Sequence, residues 1–327
     1  MIIVKTPFRV SFLGGGTDFP SWYNENGGQV ISTTINKYNY IFLKELEPVN
    51  KFKFKIRYYL NEEVIDYKKI RHPVVRKAIE IYKMEKKQLS LTYDSDLPSR
   101  SGIGSSSSFV VGLINCIFTF KKKKIDKKIL ANEAIKFEHN ILKEDVGSQD
   151  QIAASYGGFN HIKFNKNCFK VKPISLDIYN QSILDESMMM CFVGGFRNAK
   201  NLESKKINNI KAMKGYYSEI YDITTKASEI LNSQDSNSMT NFFSLMNDYW
   251  LIKKRLNSKV SNDNVNHLCE KFMREGAYSV KLMGAGSSGF ILILASKKIK
   301  KKIKNKYPKL SFIDVMSENR GSEIIYK

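Results

Sequence analysis

The segment Leu97-Pro-Ser-Arg-Ser-Gly-Ile-Gly-Ser-Ser-Ser-Ser108 runs directly into the apolar stretch of residues 109–118. That stretch is long enough for a buried helix, and Gly102 and Gly104 remove side chains where a backbone must approach a ligand closely. A glycine- and serine-rich loop leading into a helix presents unpaired N–H groups and a positive dipole end to an anion. A flexible linker does not run straight into an apolar helix, and Pro98 stiffens the approach. The segment therefore predicts a phosphate-binding loop.

This loop differs from the Walker phosphate loop, because no lysine follows Gly104. Without its own lysine, such a loop neutralises phosphate charge through N–H groups, hydroxyls, a metal ion or a basic group from another segment. We therefore expect the rest of the chain to supply a carboxylate for Mg²⁺ and an arginine or lysine.

Near the N-terminus, a triple glycine separates a strand-like stretch from an aspartate in Thr6-Pro-Phe-Arg-Val-Ser-Phe-Leu-Gly-Gly-Gly-Thr-Asp-Phe19. The alternation that starts at Arg9 predicts a strand, and the glycines predict a turn free of side chains. Asp18 either caps a helix that opens at Pro20 or accepts hydrogen bonds from a ligand's hydroxyl groups. The residues alone leave both interpretations open.

Two further segments carry candidate chemistry. In Glu138-His-Asn-Ile-Leu-Lys-Glu-Asp-Val-Gly-Ser-Gln-Asp-Gln151, Glu138 lies near the end of a predicted helix and Asp150 at the start of another. Their separation suits two elements that meet at one site, although surface carboxylates are the commoner case. In Lys281-Leu-Met-Gly-Ala-Gly-Ser-Ser-Gly289, a glycine-rich turn precedes an apolar run, which predicts a loop leading into a buried strand.

Taken in order, these four segments resemble the motifs of the GHMP kinases, named for galactokinase, homoserine kinase, mevalonate kinase and phosphomevalonate kinase. The first motif is matched at Pro7, Arg9, Gly14, Thr17 and Asp18. The second is similar to residues 98–107, and the third to residues 281–286, with Met283 in place of a threonine. The spacing from Glu138 to Asp150 is similar to that between the metal ligand and the catalytic aspartate in galactokinase-like members.

The resemblance implies ATP and Mg²⁺ as cofactors and assigns a role to each motif. Asp150 would accept the proton of the substrate hydroxyl, and Arg9 would lie beside Asp150 and stabilise charge on the transferred phosphoryl group. Ser106 and Glu138 would hold Mg²⁺. The ATP phosphates would be bound at Pro98, Ser101, Gly102, Ile103, Gly104, Ser105, Ser106 and Ser107, and the substrate at Gly15, Gly16, Thr17, Asp18, Arg197, Gly284 and Gly286.

Within this family, the opening segment is most similar to sugar kinases that act on D-glycero-D-manno-heptose 7-phosphate. Those enzymes phosphorylate the anomeric hydroxyl and give the 1,7-bisphosphate, on the route to nucleotide-activated heptose for surface polysaccharide. Arg197 is then a candidate for the substrate's own phosphate, because a guanidinium group binds phosphate oxygens in pairs. A kinase for an unphosphorylated sugar, such as fucose or galactose, and a basic binding module without catalysis are the alternatives.

Composition adds limits on partners and location. The net charge is +21 and most of the 53 basic residues are lysines, concentrated in two runs at residues 121–128 and 297–306. Base readout favours arginine, so we expect solvated lysine faces and no specific nucleic-acid partner. The four cysteines are scattered and read as reduced thiols. No apolar stretch reaches the length of a membrane span, so we expect a cytoplasmic protein without a membrane partner; a homodimer stays open.

The fold class expected is α+β, with the two-lobed GHMP architecture and the active site between the lobes. The first lobe would span residues 1–178 and the second residues 179–327. Predicted strands are residues 2–4, 9–12, 30–34, 40–43 and 88–93 in the first lobe, and residues 187–193, about 279–294 and 311–315 in the second, with helices around residues 200–275.

Overall fold

The computed structural model describes residues 1–166, 168–194, 213–233, 235–256, 260–284, 286 and 288–327. Helices and strands alternate irregularly along the chain, as an α+β fold requires. The strands are β1 (Ile2–Leu13), β2 (Gly28–Glu45), β3 (Phe54–Arg57), β4 (Asn61–Val64), β5 (Leu89–Ser95), β6 (Phe159–Asn165), β7 (Cys168–Pro173), β8 (Met188–Phe192), β9 (Ser279–Leu282), β10 (Phe290–Leu294), β11 (Ser311–Asp314) and β12 (Glu323–Tyr326).

The α-helices of the described residues are given in chain order. They are α1 (Pro20–Asn26), α2 (Pro73–Ile81), α3 (Ser105–Phe120), α4 (Lys127–Lys136), α5 (Gln149–Tyr156), α6 (Ile178–Ser187), α7 (Lys214–Ser233), α8 (Ser238–Leu256), α9 (Asp263–Arg274) and α10 (Lys297–Lys306). A short 3₁₀ turn (Tyr67–Lys69) precedes α2, and a π-helical turn (Phe137–Ile141) follows α4.

The larger sheet is built on one long antiparallel pair, β1 and β2. Its strand order is β12-β1-β2-β5-β3-β4, and β6 pairs with β2 and β7. The sequence predicted separate strands at residues 2–4 and 9–12 and at residues 30–34 and 40–43. This division was wrong, because β1 and β2 are each one continuous strand. The register between them shifts after Pro7, which has no N–H to donate, and a bulge lets the strand continue past that residue.

The smaller sheet is antiparallel with the order β11-β8-β10-β9. Its strands confirm those predicted from the apolar runs, with β9 and β10 separated by the third glycine-rich turn. The last strand, β12, lies in the larger sheet, where it pairs with β1. The division of the chain at residue 178 stays a prediction.

Helix α3 is the central helix of the first half of the chain, and its predicted burial is confirmed. Thirteen of its residues are buried, and it packs on β1 and β2. Gly112 allows that close approach, because a Cβ there would lie 2.7 Å from Thr6 Oγ1. The apolar stretch after the phosphate loop therefore fixes the loop against the strand that carries Arg9.

The second lysine run forms α10, and five of its seven lysines form ion pairs with three carboxylates of the chain. Ile303 on this helix is fully buried. Glu275 and Asp314 accept ion pairs from four of the lysines and Glu186 from a fifth, Lys297, Lys300, Lys302, Lys304 and Lys306 being the donors. The lysine face is thus paired with carboxylates rather than only solvated.

Gly157 ends α5 and packs against the segment that carries β12 back to the larger sheet. It has φ of 69°, and a Cβ there would collide with the backbone of Arg320 and Gly321. We expect Gly157→Ala to lower the free energy of unfolding by about 1–3 kcal/mol, because it adds both backbone strain and a steric clash. Chemical denaturation measures this change.

The matched control is Gly215→Ala in α7, where a Cβ meets nothing within 4 Å. Equal stability of the two variants would contradict the role given to Gly157.

Candidate active site

The predicted phosphate loop connects β5 to α3 and closes on the start of that helix. Gly104 caps α3 with φ of 73°, a left-handed conformation that suits glycine. The backbone N–H of Arg100 donates to Ser105 Oγ at 3.0 Å, and Ser101 Oγ donates to the carbonyl of Pro98 at 2.6 Å. The first turn of an α-helix has N–H groups without acceptors inside the helix, and here that turn directly follows the loop, which is the arrangement that binds anions.

Arg9 and Asp150, predicted from separate segments, form a bidentate ion pair. Arg9 Nε donates to Asp150 Oδ1 at 2.7 Å and Nη2 to Oδ2 at 2.9 Å. The third nitrogen, Nη1, donates to the carbonyl of Gly102 at 2.8 Å, so the guanidinium ties the phosphate loop to α5. A Cβ on Gly104 would lie 3.2 Å from both side chains. The phosphate loop therefore passes directly over the pair.

The protonation state of Asp150 reflects two opposing effects. Burial raises the pKa of its carboxyl above the ordinary value, and Arg9 opposes that rise. A carboxylate held by two N–H bonds stays oriented, while burial makes it a stronger proton acceptor than an exposed aspartate.

Glu138 is a buried carboxylate with one oxygen unsatisfied. It lies in the π-helical turn after α4 and is 1% exposed. Ser107 Oγ donates to Oε2 at 2.9 Å and Gln151 also donates to Oε2, whereas Oε1 is buried without a partner in the described part of the chain. Burial raises the pKa of this carboxyl to about 8. A divalent cation fits such an oxygen, because it would supply the missing positive charge.

The two serines of the loop differ in placement. Ser106, the predicted partner of Glu138 in holding Mg²⁺, is exposed at the start of α3, and the serine that bonds Glu138 is the buried Ser107. The metal role of Ser106 stays a prediction, whereas Ser107 orients the carboxylate.

The triple glycine forms a tight turn that fixes Asp18. Thr17 Oγ1 donates to the carbonyls of Gly14 and Gln29, both at 2.9 Å, so this residue holds the turn together. Asp18 Oδ1 accepts from the N–H of Gly16 at 2.8 Å, and Oδ2 accepts from Gln149 Nε2 at 3.0 Å. Asp18 therefore does not cap α1, whose start at Phe19 has no side-chain cap.

Asp18 also contacts the segment that carries Asp150. A Cβ on Gly147 would collide with the Asp18 carboxylate, and the N–H of Ser148 donates to the Asp18 carbonyl at 2.9 Å. The N-terminal segment that carries Asp18 thus meets the segment that carries Asp150, and Gln149 lies at the contact.

The third glycine-rich turn packs against the phosphate loop. The N–H of Phe290 donates to the carbonyl of Ser101 at 3.2 Å, and Gly289 leaves no room for a Cβ beside that carbonyl. Gly286 has φ of 118° and lies against the backbone of Val260, while Gly284 has φ of 69°. These contacts show a packing role for the turn; substrate contacts of Gly284 and Gly286 stay a prediction. Arg197 lies outside the described residues.

Two lysines near the site carried no prediction of a role. Lys281 is buried, and its Nζ donates to the carbonyls of Ser11 at 2.9 Å and Phe12 at 2.8 Å. Burial, followed by the nearby charges of Lys253 and Arg9, lowers the pKa of Lys281 well below its ordinary value. Lys253 Nζ donates to the carbonyl of Gly15 at 2.9 Å. Lys253 lies on α8, more than two hundred residues from the first motif, and no local pattern marks it.

Comparison with known proteins agrees with this arrangement. Residues 73–158 match the model of the GHMP kinase N-terminal domain and residues 228–309 that of the GHMP kinase C-terminal domain, together about half of the chain. The chain belongs to the GHMP kinase family. It is a sugar kinase of that family, a phosphotransferase that acts on a hydroxyl group.

Three relatives define its neighbourhood. The chain is 29% identical to a D-glycero-alpha-D-manno-heptose 7-phosphate kinase of Campylobacter jejuni, over 89% of this chain and 88% of the relative. It is 24% identical to a bifunctional fucokinase/GDP-fucose pyrophosphorylase of Arabidopsis thaliana, over 89% of this chain and 30% of the relative. In fold it is similar to the crystal structure of a D-glycero-D-manno-heptose 1-phosphate kinase from Bacteroides thetaiotaomicron, with a TM-score of 0.79, 21% identity and full coverage of both chains.

Among the helices that the structure describes, none is both long enough and apolar enough to span a bilayer.

The buried carboxylate of Glu138 predicts a pH-dependent effect on stability. Its pKa in the folded protein, about 8, lies above the unfolded value, so ionisation disfavours the folded state, and the penalty grows from the unfolded pKa up to about pH 8. Without divalent metal, we expect Glu138→Gln to raise Tm at pH 8.5 by about 3 °C or more and to have little effect at pH 5. Thermal unfolding in EDTA at both pH values measures this difference.

An equal Tm difference at the two pH values would contradict a buried, ionisable Glu138. Glu133→Gln is the control, because this carboxylate on α4 is partly exposed and forms an ion pair with the exposed Lys136.

Proposed function

We propose that this protein transfers a phosphoryl group from ATP to the anomeric hydroxyl of D-glycero-D-manno-heptose 7-phosphate, giving the 1,7-bisphosphate. This product would serve the route to nucleotide-activated heptose for surface polysaccharide. The observation that carries the kinase proposal is the Arg9–Asp150 ion pair beneath a helix N-terminus. The heptose assignment is supported by the Campylobacter jejuni relative, which the chain matches over most of both lengths.

The phosphate loop and α3 would bind the ATP phosphates. Backbone N–H groups of residues 101–106 and the helix dipole offer the positive potential that polyphosphate requires. Pro98, Ile103 and the loop glycines set the backbone path, and the exposed hydroxyl of Ser106 stands at the start of α3. Residues fixed in advance stabilise developing charge without reorganising during the reaction.

Mg²⁺ would be held by Glu138 and Ser106, and when bound it supplies charge neutralisation to the phosphates. The unpaired Oε1 of Glu138 is the ligand atom that the chain offers. Ser107 and Gln151 hold the other carboxylate oxygen and so orient the first.

Asp150 would accept the proton of the attacking hydroxyl. Its carboxylate is oriented by Arg9, and burial raises its pKa toward the range in which a carboxylate is an effective base. Arg9 also bonds the loop carbonyl of Gly102, so its charge lies between the proton acceptor and the bound phosphates. Asp18, together with residues 15–17, would bind the sugar.

The basic surface takes no specific nucleic-acid partner in this proposal. Five lysines of α10 form ion pairs with three carboxylates of the same chain, so part of the positive charge of this helix is balanced locally. We place the protein in the cytoplasm, where ATP and the sugar phosphate occur together.

A substrate panel tests the proposed activity. Purified protein with ATP and Mg²⁺ is incubated separately with D-glycero-D-manno-heptose 7-phosphate, fucose and galactose, and ADP release is followed. We expect turnover with the heptose phosphate and kcat/KM at least about tenfold higher than with the unphosphorylated sugars, because the substrate phosphate adds charged contacts.

Preference for fucose or galactose would replace the heptose assignment with the fucokinase-like alternative. Absence of ADP release with every sugar would leave a binding module and reject the kinase proposal.

Asp150→Asn tests the proton acceptor. The amide keeps the shape of the side chain but cannot accept a proton, so we expect kcat to fall about a hundredfold or more while ATP affinity changes little. Steady-state kinetics and nucleotide titration separate these two effects.

Asp145→Asn is the matched control, since Asp145 is an exposed aspartate in the segment before α5. If Asp150→Asn keeps turnover close to that of the unmodified protein, the proton does not pass to Asp150.

A further inference from the structure

Gly15 differs from Gly14 and Gly16 because its backbone conformation does not require glycine. Gly14 and Gly16 have φ of 87° and 112°, so their backbone favours glycine, whereas Gly15 lies outside the left-handed region. Gly15 is also the one residue of the stretch 11–19 that is not buried. Its backbone conformation is open to any residue. The absence of a side chain at this position is therefore explained by the space around it and not by its conformation.

Three polar side-chain atoms surround the position where a Gly15 side chain would begin. A Cβ there would lie 3.2 Å from Tyr249 Oη, 3.5 Å from Gln149 Nε2 and 3.7 Å from Ser11 Oγ. We call this space, bounded by Ser11, Gln149 and Tyr249, the Gly15 recess. One of its bounding residues, Gln149, precedes Asp150 in the chain and donates a hydrogen bond to the Asp18 carboxylate.

The hydrogen-bonding capacity of the Gly15 recess matches a hydroxyl group. A carboxylate only accepts hydrogen bonds, so the amide nitrogen of Gln149 must face Asp18, and one of its two hydrogens is directed there. The second hydrogen can be donated to a ligand oxygen in the recess. Tyr249 Oη donates to the carbonyl of Gly15 at 3.2 Å, which leaves its lone pairs to accept. The recess therefore offers both a donor and an acceptor.

Gln149 carries a second sign of a missing partner. The residue is 8% exposed, and its Oε1 is buried without a hydrogen-bond partner among the residues that the structure describes. A buried acceptor left without a donor is costly, and ligand binding is one way in which such groups are satisfied.

We propose that the Gly15 recess binds a hydroxyl group of the acceptor sugar adjacent to the hydroxyl that is phosphorylated, and that Gln149 selects substrates that carry it. The inference rests on the proposed sugar-kinase function and deepens it. Because Gln149 contacts Asp18, whose charge acts on the Asp150 carboxylate, the bound hydroxyl would fix the sugar ring near the proton acceptor. For an anomeric phosphorylation, the adjacent group is the 2-hydroxyl.

Filling the recess is the first test. Gly15→Ala introduces a methyl group without a left-handed backbone, so the protein should fold normally. We expect KM and the calorimetric Kd for D-glycero-D-manno-heptose 7-phosphate to rise at least about tenfold, as for loss of a buried hydrogen bond, while the Kd for ATP stays unchanged. Gly215→Ala, in open space on α7, is the control and should change neither.

Removing the selecting group is the second test. Gln149→Met keeps the length of the side chain without its amide, and kcat/KM is compared for the heptose phosphate and its 2-deoxy counterpart. The unmodified protein should prefer the hydroxylated sugar by about tenfold to a hundredfold, and the variant should lose that preference. Gln181→Met, which removes an amide bonded to Asp185 on α6, is the control and should retain it.

The outcomes separate this inference from the proposed function. If another sugar replaces the heptose phosphate, the same comparison is made with that sugar and its 2-deoxy form. If no sugar is phosphorylated, the kinase proposal fails, and sugar Kd values for both variants still judge the recess. Unchanged sugar affinity in Gly15→Ala, or an equal 2-deoxy preference in Gln149→Met, would overturn the inference.

Discussion

The bidentate ion pair between Arg9 and Asp150 is the interaction on which the site depends. It joins the first strand, the phosphate loop and the start of α5, three parts of the chain that share no sequence neighbourhood. Each partner is buried enough that losing the other would leave an uncompensated charge, a far larger penalty than the net value of the pair. The arrangement is therefore held in one geometry before any ligand binds. Preorganisation of this kind is what phosphoryl transfer requires, because its catalysis consists mainly of positioning and charge stabilisation.

Around that pair, several charged or polar groups lack partners that a protein optimised only for stability would provide. One oxygen of Glu138 and the amide oxygen of Gln149 are buried without bonds in the described part of the chain, and Lys281 is buried against two backbone carbonyls and the ring of Tyr249. Burial shifts the pKa of Glu138 upward and that of Lys281 downward, so both groups are disfavoured in their charged forms. Such groups concentrate where ligands complete the hydrogen bonding and charge, and here they border the Arg9–Asp150 pair. The unsatisfied groups raise the free energy of the empty site, and ligand binding would relieve that cost.

Local elements and the order of the motifs could be predicted from the sequence. Features that depend on tertiary contacts could not. The helix after the phosphate loop follows from an apolar run, and the roles expected of Arg9, Glu138 and Asp150 follow from the resemblance to the GHMP kinase motifs; the structure brings Arg9 and Asp150 together. The continuity of β1 past Pro7 was not predictable, since it depends on a bulge paired with β2. The return of β12 to the larger sheet is equally non-local. Gln149 and Lys253 carry no signal of their own, because their place at the site depends on how α5 and α8 pack. Pairing of the α10 lysines also required knowing which carboxylates lie nearby.

The glycines of the site show that one residue type answers different physical demands. At Gly104 and Gly16 the backbone is left-handed, so any other residue is strained. At Gly147 the demand is contact, because a side chain would displace the Asp18 carboxylate, and Gly289 combines a φ of 107° with a close contact to the loop carbonyl of Ser101. Gly15 meets neither demand: its backbone is unstrained, and the nearest atoms are the ends of polar side chains that could move aside. A position that tolerates a side chain yet carries none, at the one unburied point of a buried turn, indicates space kept for something outside the chain. That reasoning separates glycines that build the site from the glycine that leaves room in it.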